Sequence, residues 1–564
     1  MKYVDVVVDT KSDSVDDFFT YLSEDDDIQV GTCVEIPFSR SRARTGYVFA
    51  VHDSMPEGLE GKRLLHVRAE IAPASLPEEA VRVAVWMRRR YFCRYIDAVN
   101  CFLPTGGVPA VCAEWECMAE AQQGQEADAA SLDAAGVAGE PDASEADATE
   151  IGRGVLPELS DEQQAAYDSI AQSLAGGGKD AFLLHGVTGS GKTEVYLRCA
   201  QLAVEAGRKV ILLVPEISLT PQLTQRFTDR FGAGRIAVLH SRRTKKERAR
   251  EWLRIRQGRV DIAIGARSAV FAPFGNLGLI LIDEEHETSY KSDMQPKYDA
   301  IEIALRRAAR AGSVCVLGSA TPSIVTMFRA KQGFYKELRL TKRFGGTPLP
   351  RIRLVDMRTE LMQGNRSIFS AKLHARIAQD LEEGKQAILF LNRRGYSPFV
   401  SCRRCGYVAR CSDCGIAMTW HKQMGLILCH FCGRSAQVPK VCPECGSGYL
   451  RHFGVGTEQV EEQAATAWPG ARIARLDLDT AARKGSTERI LKDFGKGRTD
   501  ILIGTQMVAK GLDFAHVGTV GVIAADVGLN IPDFRSCERT YALVTQVAGR
   551  AGRREERGEV VIQT

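Results

Sequence analysis

Eight residues, Gly186 to Thr193, constrain this chain more than any others: they read GVTGSGKT and fit the phosphate-loop template G-x-x-x-x-G-K-[ST]. The apolar run AFLLHG precedes them and reads as a buried strand. TEVYLRCAQLAVEAG follows and reads as a helix ending at Gly207. A loop of this kind needs both neighbours. Glycines let backbone N–H groups crowd round a phosphate at a helix N-terminus, where the dipole favours negative charge. The backbone of Gly186, Val187, Thr188, Gly189, Ser190 and Gly191 is therefore expected to wrap the phosphates of a nucleotide. Lys192 is placed to reach the β/γ-phosphates and Thr193 to reach Mg²⁺.

The surrounding chain follows the same strand–helix grammar. After a helix that starts at Ser160, with Gln163 three residues on as its capping partner, apolar strands recur: VILLVP, RIAVLH, VDIAIGA, LGLILIDEE and SVCVLGSA. A second set begins near Gln386 with QAILFLN, ARIARLDLD, DILIGTQ, TVGVIAAD and GEVVIQT. Near-continuous apolar strands alternating with helices predict parallel sheets covered on both faces, hence two α/β lobes. A chain of 564 residues is long enough for several domains. Residues up to about Val67 look β-rich, and LPEEAVRVAVWMRRRYF reads as a helix whose Arg88–Arg90 run is expected on a solvated face. SRSRAR, Ser39 to Arg44, sits at a hairpin-like turn beside Phe38 and Tyr47; it suits either a nucleic-acid backbone or plain solvent.

Net charge is only +4, but Glu114 to Glu150 carries 11 Asp/Glu and no Lys/Arg, leaving the remainder near +15. That surplus fits a polyanionic partner. Gly124 to Glu150, rich in Ala, Asp, Glu and Gly, reads as a disordered linker. No apolar run is long enough to span a membrane and no signal peptide is evident, so a cytoplasmic protein with reduced thiols is expected. Cys199 and Cys315 lie on apolar segments and read as small core residues.

Two further motifs carry chemistry. LILIDEEH places Asp283 and Glu284 at the end of a buried strand, where the doubly wound arrangement has its ligand crevice. Asp283 suits the Mg²⁺ shell and Glu284 the orientation and deprotonation of an attacking water. QVAGRAGR in the second set carries Arg550 and Arg553, three apart and so on one side of a helical turn. Both suit the arginine-finger role on a nucleotide held by the first lobe. A cleft opened and closed by ATP across a bound strand would be a motor. Four CxxC pairs, Cys402/Cys405, Cys411/Cys414, Cys429/Cys432 and Cys442/Cys445, make two Cys₄ sites for two Zn²⁺, combinable in three ways.

In order and detail these segments resemble superfamily 2 helicases, and among them the primosomal replication-restart (PriA) helicase family. GVTGSGKTEVY, VPEISLTPQ, LIDEEHETSYK, LGSATPS, FLNRRGY, VGTEQVEE, GTQMVAKGLDF and PDFRSCERTYALVTQVAGRAGR carry the likeness from Leu156 to Thr564. The resemblance implies two RecA-like parallel-sheet lobes, with a zinc-binding insertion at 400–450 in the second. It implies 3′→5′ movement on single-stranded DNA driven by ATP and Mg²⁺, with Ser319 and Thr321 coupling nucleotide to DNA. It also favours nested zinc pairing: 402/405 with 442/445, and 411/414 with 429/432. GTCVEIPFSRSRARTGYVFAV is similar to the family's 3′-DNA-end-binding domain. Where the family's aromatic-rich loop ends Arg-Tyr-His-Ala-Arg-Asp, this chain has Lys297-Tyr298-Asp299-Ala300-Ile301-Glu302.

The expected organisation is a β-rich domain at 1–107, an acidic linker at 108–155 taking most of the space of the family's winged helix, and lobes at 156–340 and 341–564. The family's C-terminal domain is not expected within the chain. The expected activity is an ATP-dependent 3′→5′ DNA helicase, a monomer acting on forked and single-stranded DNA. Primosome proteins and single-strand-binding protein are the partners that the resemblance implies. A fork-binding scaffold with a vestigial ATPase is the alternative.

Overall fold

The computed structural model describes residues 1–10, 12–38, 42–72, 75–104, 107–109, 157–215, 221–240, 243–391, 399–421, 423–453, 456–477, 480, 486–505, 508, 514, 516–552 and 557–564. The linker expected at Gly124–Glu150, most of VPEISLTPQ, Arg393 to Tyr396 and much of GTQMVAKGLDF lie outside them. Backbone packing separates two units. The first comprises Met1–Leu184, Thr193–Ser319 and Thr326–Arg339; the second comprises His185–Lys192, Ala320–Val325 and Leu340–Thr564.

The first unit opens with an antiparallel sheet of β1 (Lys2–Val8), β2 (Phe19–Ser23), β3 (Cys33–Phe38), β4 (Arg42–His52) and β5 (Ala69–Ala72), in the order β2-β1-β4-β3-β5. The hairpin foreseen around SRSRAR is the β3–β4 pair, with Phe38 opposite Arg42. Helices Glu78–Tyr91 and Tyr95–Phe102 follow. Alternation gives the sheet two apolar faces. Val4, Val6, Val8, Val34, Ile36 and Val48 form a core of their own. Val7, Cys33, Tyr47 and Phe49 instead join one continuous core with both helices and the first parallel sheet. Phe102 and Phe271 meet edge to face at 4.9 Å, and Trp252 Nε1 donates to Phe102 O at 2.8 Å. The arginines of Arg88–Arg90 are not simply solvated: Arg88 Nε donates to Asp16 at 3.1 Å and Arg90 Nη2 to Glu302 at 2.8 Å.

The parallel sheet foreseen from the first set of apolar runs contains β6 (Ala181–Gly186), β7 (Lys209–Leu213), β8 (Ile236–Leu239), β9 (Ile262–Gly265), β10 (Leu277–Ile282), β11 (Val314–Ser319) and β12 (Lys336–Leu340). Their order is β12-β6-β11-β10-β7-β9-β8. Strand β10 pairs in parallel with β7 and β11, and every one of its six residues is buried. Double-sided burial is why these strands lack polar alternation. Ser160 and Gln163 form the expected capping box on Asp161–Ala175. Cys199 and Cys315 are fully buried, and burial alone pushes both thiols up.

The second parallel sheet has β13 (Arg351–Val355), β14 (Gln386–Leu391), β20 (Ile473–Leu476), β21 (Ile501–Gly504), β22 (Val517–Ile523) and β23 (Glu559–Gln563), ordered β13-β23-β22-β14-β21-β20 with every neighbouring pair parallel. Between β14 and the helix Thr457–Ala467, a separate antiparallel sheet of β15 (Phe399–Cys402), β16 (Thr419–His421), β17 (Leu426–Leu428), β18 (Ser435–Gln437) and β19 (Leu450–Phe453) is inserted. The cysteine-rich segment expected within the second lobe thus forms a sheet of its own.

Candidate nucleotide site and metal centres

The phosphate loop leaves β6 and enters the helix Lys192–Glu205. Gly189 and Gly191 adopt φ of 80° and 79°, left-handed values that side chains resist. At Gly186 the constraint is space, because an added Cβ would stand 2.6 Å from Ser190 Oγ. Lys192 folds over the loop and its Nζ donates to Gly186 O at 2.8 Å. The loop thus lies at a helix N-terminus with the Lys192 ammonium folded across it, a setting suited to a polyphosphate.

LIDEEH ends β10, two strands from β6 across β11. Asp283 N–H donates to Leu213 O at 2.9 Å and Glu285 N–H to Gly318 O at 3.0 Å, so the turn hangs from both neighbouring strands. Glu284 sits at φ 47°, a left-handed conformation that costs free energy for any residue with a Cβ. The four residues face different ways. Glu285 is buried and accepts from Thr326 Oγ1 at 2.9 Å. His286 Nδ1 lies 2.7 Å from Ser319 Oγ and 3.7 Å from Glu284 Oε2. The DEEH turn and LGSATPS are thereby hydrogen-bonded directly. Thr321 is buried.

Sequence reasoning passed over three residues here. Tyr196 and Tyr290 are both buried: Tyr196 Oη donates to Asp283 Oδ1 at 3.2 Å, and Tyr290 Oη donates to Asp283 O at 2.5 Å and Leu213 O at 3.2 Å. Only their place in GSGKTEVY and DEEHETSY hinted at them. The third is Arg343.

Arg550 is placed differently from the sequence expectation. The helix Ser536–Ala548 stops before it, and Arg550 lies in the turn that follows, 7% exposed. Gly549 caps the helix there, and Arg553 is outside the described residues. Arg343 clamps this turn, donating from Nη1 to Ala551 O (3.2 Å) and Gly552 O (2.7 Å) and from Nη2 to Gly549 O (3.1 Å). Within the same unit the turn abuts the phosphate loop, since a Cβ on Gly549 would fall 2.0 Å from Thr188 Oγ1.

The departures at Lys297–Glu302 are built into the first unit. Tyr298 is buried, Asp299 caps the helix Ala300–Ala311 through Ile301 N–H at 3.0 Å, and Glu302 accepts from Tyr91 Oη at 2.9 Å as well as from Arg90.

The eight cysteines gather as two groups, Cys402/Cys405/Cys442/Cys445 and Cys411/Cys414/Cys429/Cys432, all sulfurs of a group lying within 4.8 Å of one another. That is the nested pairing. Four copies of one knuckle build them. In each, the first Cys N–H donates to the carbonyl five residues on, at 2.8–2.9 Å. The glycine after the second Cys (Gly406, Gly415, Gly433, Gly446) then donates back to the first Cys O, with φ between 65° and 81°. Cys402–Cys445, Cys405–Cys442 and Cys411–Cys432 have Sγ–Sγ separations of 3.7, 3.5 and 3.6 Å. Tetrahedral Zn–S bonds of ~2.3 Å imply sulfurs ~3.8 Å apart, so the donor sets fit zinc. The side chain and N–H of Ser447 hold the Cys445 thiol down to about 6, whereas the neighbouring Cys432 sulfur pushes Cys414 up to about 12. A divalent cation relieves such crowding by taking all four groups as thiolates.

Four family models match successive parts of the chain: a 3′ DNA-binding domain at 5–104, a DEAD/DEAH box helicase at 160–328, the PriA DNA helicase Cys-rich region domain at 411–436 and a helicase conserved C-terminal domain at 453–555. Such a set marks a superfamily 2 helicase carrying family-specific additions. Replication restart protein PriA of Bacillus subtilis is 52% identical over 406 residues, covering 72% of this chain and 50% of that protein. PriA of Treponema pallidum is 46% identical, covering 72% of this chain and 60% of that protein. PriA of Chlamydia muridarum is 34% identical over all of this chain and 81% of that protein. The chain belongs to the PriA family of replication restart proteins. It spans about half the length of the Bacillus relative it matches.

Proposed function

We propose that this protein is an ATP-dependent 3′→5′ DNA helicase that recognises forked or stalled replication structures, unwinds them and promotes primosome assembly. The observation that carries this reading is the tie between phosphate-loop helix and DEEH turn: Tyr196, one turn after Lys192, hydrogen-bonds Asp283. Backbone amides of Gly186 to Gly191 and Lys192 would hold the phosphates of ATP. Thr193 and Asp283 would complete the Mg²⁺ shell, the latter through water. Glu284, with His286 beside it, would orient and deprotonate the attacking water. Arg550 and Arg553 would neutralise charge on the transferring phosphoryl group. The Ser319–His286 bond supports a role for LGSATPS in relaying the nucleotide state to bound DNA. Mg²⁺ would supply charge neutralisation, and each Cys₄ group would hold one structural Zn²⁺.

The residue ranges 1–107, 108–155, 156–340 and 341–564 serve in this reading as a 3′-end-binding domain, linker, ATP-binding lobe and zinc-bearing lobe. Forked and single-stranded DNA are its substrates, primosome proteins and single-strand-binding protein its partners, and it works as a monomer in the cytoplasm. Among the described residues no helix is long and apolar enough to cross a membrane. The test is strand separation on forks with and without a 3′ leading-strand end, alongside ATP hydrolysis with and without single-stranded DNA. Lys192→Ala is expected to abolish hydrolysis and unwinding while fork binding persists. Equal unwinding by this variant and the parent would end the proposal.

A further inference from the structure

The bond from Tyr196 to Asp283 belongs to a construction too specific for ordinary packing. Tyr196 lies one turn into the phosphate-loop helix and is 1% exposed. Its hydroxyl occupies the space that Gly318 of β11 leaves: a Cβ on Gly318 would stand 1.6 Å from Tyr196 Oη, so any side chain there evicts the phenol. Asp283 is gripped from its other end as well, because Tyr290 Oη donates to its main-chain carbonyl at 2.5 Å and the Asp283 N–H is spent on Leu213 O. Backbone and one carboxylate oxygen of Asp283 are thus both fixed from outside the DEEH turn.

We propose that Tyr196 is a positioning residue for Asp283: by donating to Oδ1 it locks the carboxylate rotation and so sets how Asp283 meets the divalent cation that accompanies the nucleotide. This rests on the reading of Asp283 as part of the Mg²⁺ shell. A phenol is well chosen for the task. Its hydroxyl is buried and carries a single proton, which the Asp283 carboxylate accepts. Partners that orient a metal's ligands from behind carry much of a site's affinity. Tyr196 lies one turn into the helix Lys192–Glu205, so the group that aims Asp283 stands on the helix that the phosphate loop enters.

The test uses the full chain and its Tyr196→Phe and Asp283→Ala variants. Fluorescent non-hydrolysable ATP analogue is titrated with Mn²⁺, bound metal is read by electron paramagnetic resonance, and analogue affinity is measured again without metal. Tyr196→Phe is expected to raise the Mn²⁺ concentration for half-saturation on the order of tenfold while metal-free analogue affinity stays at the parent value. Parent-like Mn²⁺ dependence in Tyr196→Phe, with Asp283→Ala shifted, overturns the positioning role alone. Loss of metal-free affinity to the same extent as metal-dependent affinity also overturns it, since the phenol would then only be packing. Parent-like Mn²⁺ dependence in Asp283→Ala overturns the underlying reading of Asp283.

Discussion

Arg307 and Glu79 form a bidentate ion pair: Arg307 Nε lies 3.1 Å from both carboxylate oxygens and Nη2 lies 3.0 Å from Oε2. The arginine is fully buried, and its Nη1 donates to Val270 O and, at 3.0 Å, to Ala272 O. One guanidinium thereby joins the helix Glu78–Tyr91 of the N-terminal segment to the helix Ala300–Ala311 and the chain after β9. The 3′ DNA-binding match and the helicase match are physically one piece here.

Removing one partner of a buried pair strands the other charge, so Arg307→Ala should destabilise the protein by about 3–5 kcal/mol. Replacing both, Arg307→Met with Glu79→Leu, should recover a large part of that loss. Chemical denaturation of the single and double variants checks this; a double variant no better than Arg307→Ala would show that the carbonyl contacts, not the pair, dominate.

Gly318→Ala should cost about 1–3 kcal/mol, because β11 cannot shift within a fully paired sheet and Tyr196 must leave. Adding Tyr196→Phe removes the atom at 1.6 Å, so the double variant should be more stable than Gly318→Ala itself. Melting temperatures of the four members of this cycle decide the matter.

Zinc stoichiometry distinguishes the nested pairing from the other two. Cys411→Ser combined with Cys432→Ser touches one group and should leave one zinc per chain. Cys411→Ser with Cys442→Ser touches both and should leave none. Metal analysis of the purified variants gives the count. Stripping zinc from the parent should harm unwinding more than hydrolysis, since the insertion is a separate sheet with its own small core. A proportionate loss of both would mean that the cluster merely holds the second lobe together.

If Arg550 serves as proposed, Arg343 should matter to ATP hydrolysis to the same extent. Its guanidinium satisfies three carbonyls of the turn that carries Arg550, so Arg343→Ala should lower kcat by about 100-fold with the KM for ATP little changed. The double variant should be scarcely worse than either single one. Additive losses in the double variant would show that Arg343 acts independently of Arg550.

The sequence by itself determined the local elements and the chemistry tied to fixed spacing. GVTGSGKT, LILIDEEH and the CxxC pairs are read by contiguous residues, and doubly buried strands betray themselves by lacking polar alternation, so both lobes and the position of the insertion were legible. The glycine that follows each CxxC pair was passed over, because its need appears only in the folded knuckles, where it takes positive φ. Tertiary structure alone decided what depends on residues far apart meeting. No spacing connects Tyr196 to Asp283 and Gly318, Arg343 to the carbonyls after Ala548, or Glu79 to Arg307, because each pairing is made by the order in which strands lie side by side. Arg550 shows the complementary limit: spacing within QVAGRAGR does not tell where the helix stops, and it stops at Ala548, before Arg550.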